Sequence, residues 1–197
     1  MLSTLRNLNQ VILAEGKKLN TNKPKEYTSY STSRVLAEIS IFVALATALS
    51  FIIVYALPEG GSITAASMVP ILWLALRRGP KVGIVAGVLY GFIQLAIMPF
   101  VIDPVQLLID YPLAFGVLGL AGFFSNKPII GAAVGISGRF VMHFIAGVVW
   151  WAPVYAPTLN PFAYSAVYNA SYLLPELIIS GFVMYLLQKS KVLRAYM

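Results

Sequence analysis

Residues 104–124 read PVQLLIDYPLAFGVLGLAGFF. A helix needs about 20 predominantly apolar residues to cross the hydrocarbon core of a bilayer, and this run has 21 with no Lys or Arg. Inside it sits one carboxylate, Asp110, next to a phenol, Tyr111. A carboxylate at that depth is costly, so it faces a partner or a cavity rather than lipid. The stretch predicts a membrane helix with a polar site built into it.

The rest of the chain agrees. Of 197 residues, 59% are hydrophobic and 11% charged, and the mean hydropathy is +0.81. Soluble domains carry about 25% charged residues, so an integral membrane protein is expected, with one membrane domain over 34–190. Six apolar segments, at about 35–57, 62–77, 81–99, 104–124, 128–151 and 162–187, predict six transmembrane helices in an all-α protein, because backbone in lipid must satisfy its own hydrogen bonds. The flanks are a polar extension, 1–33, and a tail, 191–197. The spacing of Leu2, Leu5, Leu8, Val11 and Ile12 allows an amphipathic helix in the extension; a leader without structure fits equally well. It lacks the apolar core and cleavage site of a signal peptide.

The net charge of +7 suggests nucleic acid until the charges are placed. Six alternating helices put Arg6 to Arg34, Arg77, Arg78, Lys81, Lys127, Lys189, Lys191 and Arg194 all on one side. The other three connections hold only Glu59 and Asp103. The positive-inside rule then places both termini in the cytoplasm of a multi-pass cell-membrane protein, and no nucleic-acid partner is expected. Arg139, within the fifth helix, is the exception.

That topology also sorts the polar residues by depth. Asp110 and Tyr111 lie roughly 9–12 Å below the outer end of their helix. Arg139 and His143 are four apart and share a helix face. Trp151 is about two turns above His143, and Tyr164 and Asn169 fall in the first turns of the sixth helix. Asp110, Tyr111, His143, Trp151, Tyr164 and Asn169 therefore share the outer half of three consecutive helices. A carboxylate, an imidazole, a carboxamide and aromatic faces suit a flat, polar, cationic small molecule. Two plainer readings stand beside this one. The aromatic residues can form an interfacial belt, and Asp110 can be a structural partner of Arg139 or His143. Glu176 lies deeper and reads as structural. Ala44 and Ala48 form a small-residue stripe on the first helix, suited to docking another membrane protein; Gly83, Gly87 and Gly91 suit packing within the bundle.

Several chemistries are disfavoured. There is no cysteine and only one histidine, so neither disulfides nor a dedicated zinc site is expected. No cofactor is indicated. No Walker motif is present, so the chain does not itself couple to ATP. Gly135-Ile136-Ser137-Gly138 resembles the GxSG of rhomboid proteases, but His143, six residues on in the same helix, points about 240° away and cannot serve Ser137 as a base. An enzyme is not expected. A secondary transporter is disfavoured by the absence of an obvious inverted repeat.

Five groups of residues occur together in order: Glu59-Gly60-Gly61-Ser62-Ile63-Thr64 with Ser67-Met68-Val69-Pro70, Leu76-Arg77-Arg78-Gly79, Asp110-Tyr111-x-Leu113-Ala114, His143-Phe144-Ile145-Ala146-Gly147 with Trp151, and Tyr164-Ser165 with Asn169. Over about 35–190 they resemble the thiamin-binding S component of energy-coupling factor (ECF) transporters. The resemblance implies a six-helix bundle that captures thiamin from outside and is served by a membrane coupling subunit and two cytoplasmic ATPases. It implies substrate contacts at Asp110, Tyr111, His143, Trp151, Tyr164 and Asn169, with Arg139, Phe100 and Glu59 as secondary contacts. It matches Ala44 and Ala48 to the coupling-subunit stripe. This chain has Asp110 where the family often has Glu, Arg139 where it often has Lys, and Phe100 without the hydroxyl of the family's aromatic. The alternatives are an S component for a thiamin precursor or another small vitamin and, from another class, an intramembrane enzyme.

Overall fold

Among the described residues, five helices carry proline in their first turn. Proline is tolerated there because its missing N–H would have no intrahelical acceptor. The computed structural model describes residues 32–190. Within them run α1 (Thr32–Ser50), a hairpin of β1 (Ile53–Ala56) and β2 (Ser62–Thr64), α2 (Val69–Arg78), α3 (Pro80–Ile97), α4 (Pro104–Phe124), α5 (Pro128–Tyr155) and α6 (Pro161–Lys189). Asp103 caps α4, accepting from the backbone N–H groups of Val105 and Gln106, and Asn160 caps α6 in the same way. Gly79, at φ 88°, turns the chain between α2 and α3 within one residue. The expected extension, apart from residues 32 and 33 that open α1, and the expected 191–197 tail lie outside the described residues.

Six helices are present among the described residues, and five are long and apolar enough to cross a membrane. The exception corrects two expected segments. The first helix stops at Ser50 instead of running to 57, and the second is the ten-residue α2. The missing turns are the antiparallel hairpin, paired Ile53 to Thr64 and Ala56 to Ser62. Ile52-Ile53-Val54-Tyr55 is β-branched and aromatic, and Pro58 and Gly60-Gly61 supply the reversal. Apolar content cannot tell such a strand from a helix end.

The short α2 is the centre of the bundle, with Ile71, Leu72, Leu74 and Ala75 fully buried. Ile39, Val43 and Ala46 of α1 face the core, while Ala44 and Ala48 lie exposed on its other side. Glu38, near the start of α1, takes a bidentate pair of bonds from Arg78 at the end of α2, 2.6 Å from Nε and 2.5 Å from Nη2. Gly83, Gly87 and Gly91 of α3 lie against Ala75 of α2 and the backbone of α4 at Phe115 and Tyr111, which sets how closely α4 approaches.

Candidate functional site

Two helices lose their regular repeat where the candidate residues stand. In α4, residues Ile109–Leu113 form a π turn, closed by the Ala114 N–H on the Ile109 carbonyl. In α5, residues Gly147–Trp151 form another, closed by the Ala152 N–H on the Gly147 carbonyl. A proline lies in or just after each, Pro112 and Pro153, and its missing N–H removes one regular bond. Such single wide turns concentrate at functional sites because they re-aim side chains. Here they carry Asp110 and Tyr111 in one helix and Trp151 in the other.

Asp110 is the hub. It is 7% exposed. Oδ1 lies 2.8 Å from His143 Nδ1. Oδ2 accepts from Trp151 Nε1 at 2.7 Å and from Gln106 Nε2 at 2.7 Å. Arg139 Nε donates to His143 Nε2 at 3.1 Å. Arginine can only donate, so Nε2 is the accepting nitrogen and Nδ1 carries the proton given to Asp110. The guanidinium also lies 4.2 Å from the Phe115 ring centroid, with Nη1 3.0 Å from Met68 Sδ. An unbroken chain of polar contacts thus joins α4 to α5.

Gln106 and Tyr111 pin the loop above. Gln106 is fully buried; its Oε1 accepts from the Ile102 N–H and its Nε2 donates to the Phe100 carbonyl as well as to Asp110. The Tyr111 hydroxyl donates to the Met98 carbonyl at 2.7 Å and accepts from the Phe100 N–H at 2.8 Å. The loop is tied at three successive points around Asp110.

On the facing wall, α6 presents Tyr164, Tyr168, Tyr172 and Glu176 at steps of four, one stripe of the helix. Each of the four meets the hairpin or its turn. Tyr164 donates to Glu59 Oε2 at 2.5 Å. The Tyr168 hydroxyl donates to the Pro58 carbonyl and accepts from the Gly61 N–H at 2.9 Å. Tyr172 packs against Gly61, and Glu176 Oε1 takes both the Thr64 N–H and its hydroxyl. Glu59 stands at φ 66°, a left-handed conformation that costs a non-glycine residue about 1 kcal/mol or more. The tyrosine tethers hold it there.

Asn169 is 4% exposed, and its Nδ2 donates to the Ser165 carbonyl at 2.9 Å while Oδ1 accepts from the Tyr172 hydroxyl at 2.9 Å. Ser165 in turn donates to the Phe144 carbonyl at 2.8 Å. A Cβ on Gly147 would sit 2.1 Å from Ser165 Oγ, so only glycine lets α5 meet α6 at this level.

These walls enclose one cavity. Asp110, Tyr111, His143, Trp151, Tyr164 and Asn169 all line it, and so do Arg139, Phe100 and Glu59. Ala44 and Ala48 lie elsewhere, on the outer face of α1. The cavity's aromatic surface comes from Trp151, stacked on Tyr155 at 5.7 Å, and Tyr164, stacked on Tyr168 at 6.0 Å. Sequence reasoning missed Gln94, Gln106, Tyr168 and Tyr172. Three of these carry a readable signal: Gln106 is four residues before Asp110, and Tyr168 and Tyr172 continue the i+4 stripe from Tyr164. Glu176, which the sequence reads as structural, is bonded to the hairpin.

A protein family described as "Thiamine transporter protein" (Thia_YuaJ) matches residues 36–194. Thiamine transporter ThiT of Bacillus subtilis is 34% identical over 172 residues, covering 77% of this chain and 88% of the relative. Thiamine transporter ThiT of Lacticaseibacillus paracasei is 31% identical over 160 residues, covering 68% and 77%. The solved structure of ThiT from Listeria monocytogenes superposes with a TM-score of 0.71 at 28% identity, covering 79% of this chain and 93% of that one. On the family match and the identity to two curated relatives, this chain belongs to the thiamine transporter family.

Proposed function

We propose that the chain binds thiamin in this cavity with high affinity and serves its uptake as the substrate-specific subunit of an ECF-type transporter. The observation that carries the reading is the bonding of Asp110. Its two oxygens hold His143, Trp151 and Gln106 in place, so a buried negative charge and an oriented indole face the same space. Thiamin is a permanently cationic thiazolium joined to an aminopyrimidine, with a hydroxyethyl tail. Asp110 offsets the cation through its field and fixes the groups that touch the guest; three donors already occupy its two oxygens. Trp151 and Tyr164 supply faces for the rings, an arrangement that favours cations over neutral guests. His143 and Asn169 edge the rings with polar groups, Tyr111 closes the shell, and Arg139, Phe100 and Glu59 complete the rim.

The sorting of basic residues supports cytoplasmic termini and a site opening outward. Ala44 and Ala48, exposed on α1, form the face for the membrane coupling subunit, which works with two ATPases. The chain acts by binding rather than by catalysis, and its named relatives are transporters.

Titrating ligand-free protein in detergent with thiamin, by tryptophan fluorescence and calorimetry, tests this. One saturable site per chain at nanomolar to low micromolar thiamin is expected. A folded protein that ignores thiamin sinks the reading, and a competition series with precursors and other vitamins would then find the ligand.

A further inference from the structure

Gln94, in the last turn of α3, lines the site cavity and also a second cavity of about 230 Å³ beside it. Ser50, Phe51 and Ile53 line only the second, so the outer end of α1 stands over space. The buried residues of α1 are Ile39, Val43 and Ala46, none of them in its last turn. What fastens that turn is polar. Gln94 Nε2 donates to Ser50 Oγ at 2.9 Å. Ser50 spends its own hydrogen on the Thr47 carbonyl at 2.7 Å, so towards Gln94 it can only accept. The Tyr90 hydroxyl donates to the Ala46 carbonyl, one turn lower, at a long 3.5 Å. Gln94 is half-buried, and among the described residues its carboxamide makes this one bond. A single bond therefore decides which way the amide points.

We infer that Gln94 is a positioning residue that couples α1 to the site: bonded to Ser50 it stays clear of the guest, and released from Ser50 it turns into the guest's space and excludes it. This rests on the thiamin reading and on the docking face at Ala44 and Ala48. The two positions of one side chain form a two-state element, and both ends bias it. A guest occupies the room that the released carboxamide needs, so binding favours the bonded position. A partner seated on Ala44 and Ala48 that draws the outer end of α1 from α3 breaks the bond. That movement gives up little apolar contact, because no residue of the last turn is buried. The coupling is reciprocal: the pull that frees Gln94 lowers the guest's affinity, so docking promotes release.

The test is a double-mutant cycle on the full chain, read by calorimetry with thiamin: parent, Ser50→Ala, Gln94→Ala and the two together. Ser50 lies outside the site cavity, so it has no contact with the guest through which to act. Ser50→Ala should still weaken thiamin binding about two- to fivefold, the scale of one neutral hydrogen bond, as the binding-competent fraction falls. Gln94→Ala leaves a side chain too short to fill the cavity. Adding Ser50→Ala to it should leave the affinity where Gln94→Ala alone puts it. Whatever Ser50→Ala does to α1 itself cancels, since the bond to Thr47 is lost in both backgrounds. If Gln94→Ala does not fold, Gln94→Asn, too short to reach Ser50, takes its place with the same expectation. An equal loss in both backgrounds means that Ser50 acts through the stability of α1, and no loss in the parent background means that the amide does not move. Either result overturns the inference and leaves the thiamin reading standing. A parent that binds no thiamin overturns that reading, and this inference with it.

Discussion

Trp151 Nε1 donates to Asp110 Oδ2 across 2.7 Å, joining the π turn of α5 to the π turn of α4. The largest aromatic face of the cavity is therefore oriented by the same carboxylate that gives it negative charge. Trp151→Phe keeps one ring and removes this bond together with the rest of the indole face. Hydrogen bonds to charged groups are worth about 1.5–3 kcal/mol, so thiamin affinity should fall at least tenfold with little change in melting temperature. Calorimetry beside a thermal melt separates the two effects; a melt that collapses would place Trp151 in the fold rather than the site.

Gln106 makes three bonds from a fully buried position. Gln106→Leu should destabilise by ~2–3 kcal/mol, because the Asp110 oxygen, the Phe100 carbonyl and the Ile102 N–H all lose a partner. Gln106→Glu should be worse, since it sets a second carboxylate on Asp110. Hydrogen exchange should show faster opening of residues 98–103 in both; equal exchange to the parent would mean that Tyr111 alone holds the loop.

Gly147→Ala drives a methyl into Ser165 Oγ. Overpacking of this kind typically costs about 1–3 kcal/mol, and here the displaced Ser165 carries Asn169 with it. Thiamin binding should weaken severalfold. Adding Ser165→Gly should restore part of the loss, which a general folding defect would not permit.

The Tyr168 hydroxyl serves both ends of the hairpin turn, the Pro58 carbonyl and the Gly61 N–H. Tyr168→Phe should raise the exchange rate of the 58–64 amides and lower stability by ~1 kcal/mol. The Glu59 conformation, held by Tyr164 next door, should loosen with it. If those amides exchange as in the parent, the Tyr164 and Glu176 tethers suffice.

Ala44→Leu with Ala48→Leu changes only exposed positions of α1. Purified protein should bind thiamin as the parent does, while uptake by cells supplying the proposed coupling and ATPase subunits should fall several-fold or more. Undiminished uptake would move the docking face off α1.

The four later helices were legible because hydropathy marks them, and α4 begins and ends where its apolar run does. Depth along those helices was enough to group Asp110, Tyr111, His143, Trp151, Tyr164 and Asn169, which line one cavity. The hairpin was not legible, since Ile52-Ile53-Val54 is as apolar as the helix before it and only its partner strand reveals it. Nor was the chain of bonds around Asp110. Spacing put Gln106 on the same face, but a π turn shifts every later residue of its helix by one place, and no local pattern of 3.6 announces that. The Glu176–Thr64 contact spans 112 positions in sequence, a distance over which periodicity carries no information.

The two π turns also bear on how such a chain can vary in length. Each holds one residue more than a regular helix would need. Deleting a residue from 109–113 restores the ordinary repeat and rotates one half of α4 against the other by about 100°, which takes either Asp110 or the Gly116–Gly119 contact with α3 out of register. The same holds for 147–151. Insertions and deletions should therefore be excluded from these two pentapeptides and permitted between Ala156 and Asn160, where the chain is largely exposed between α5 and α6.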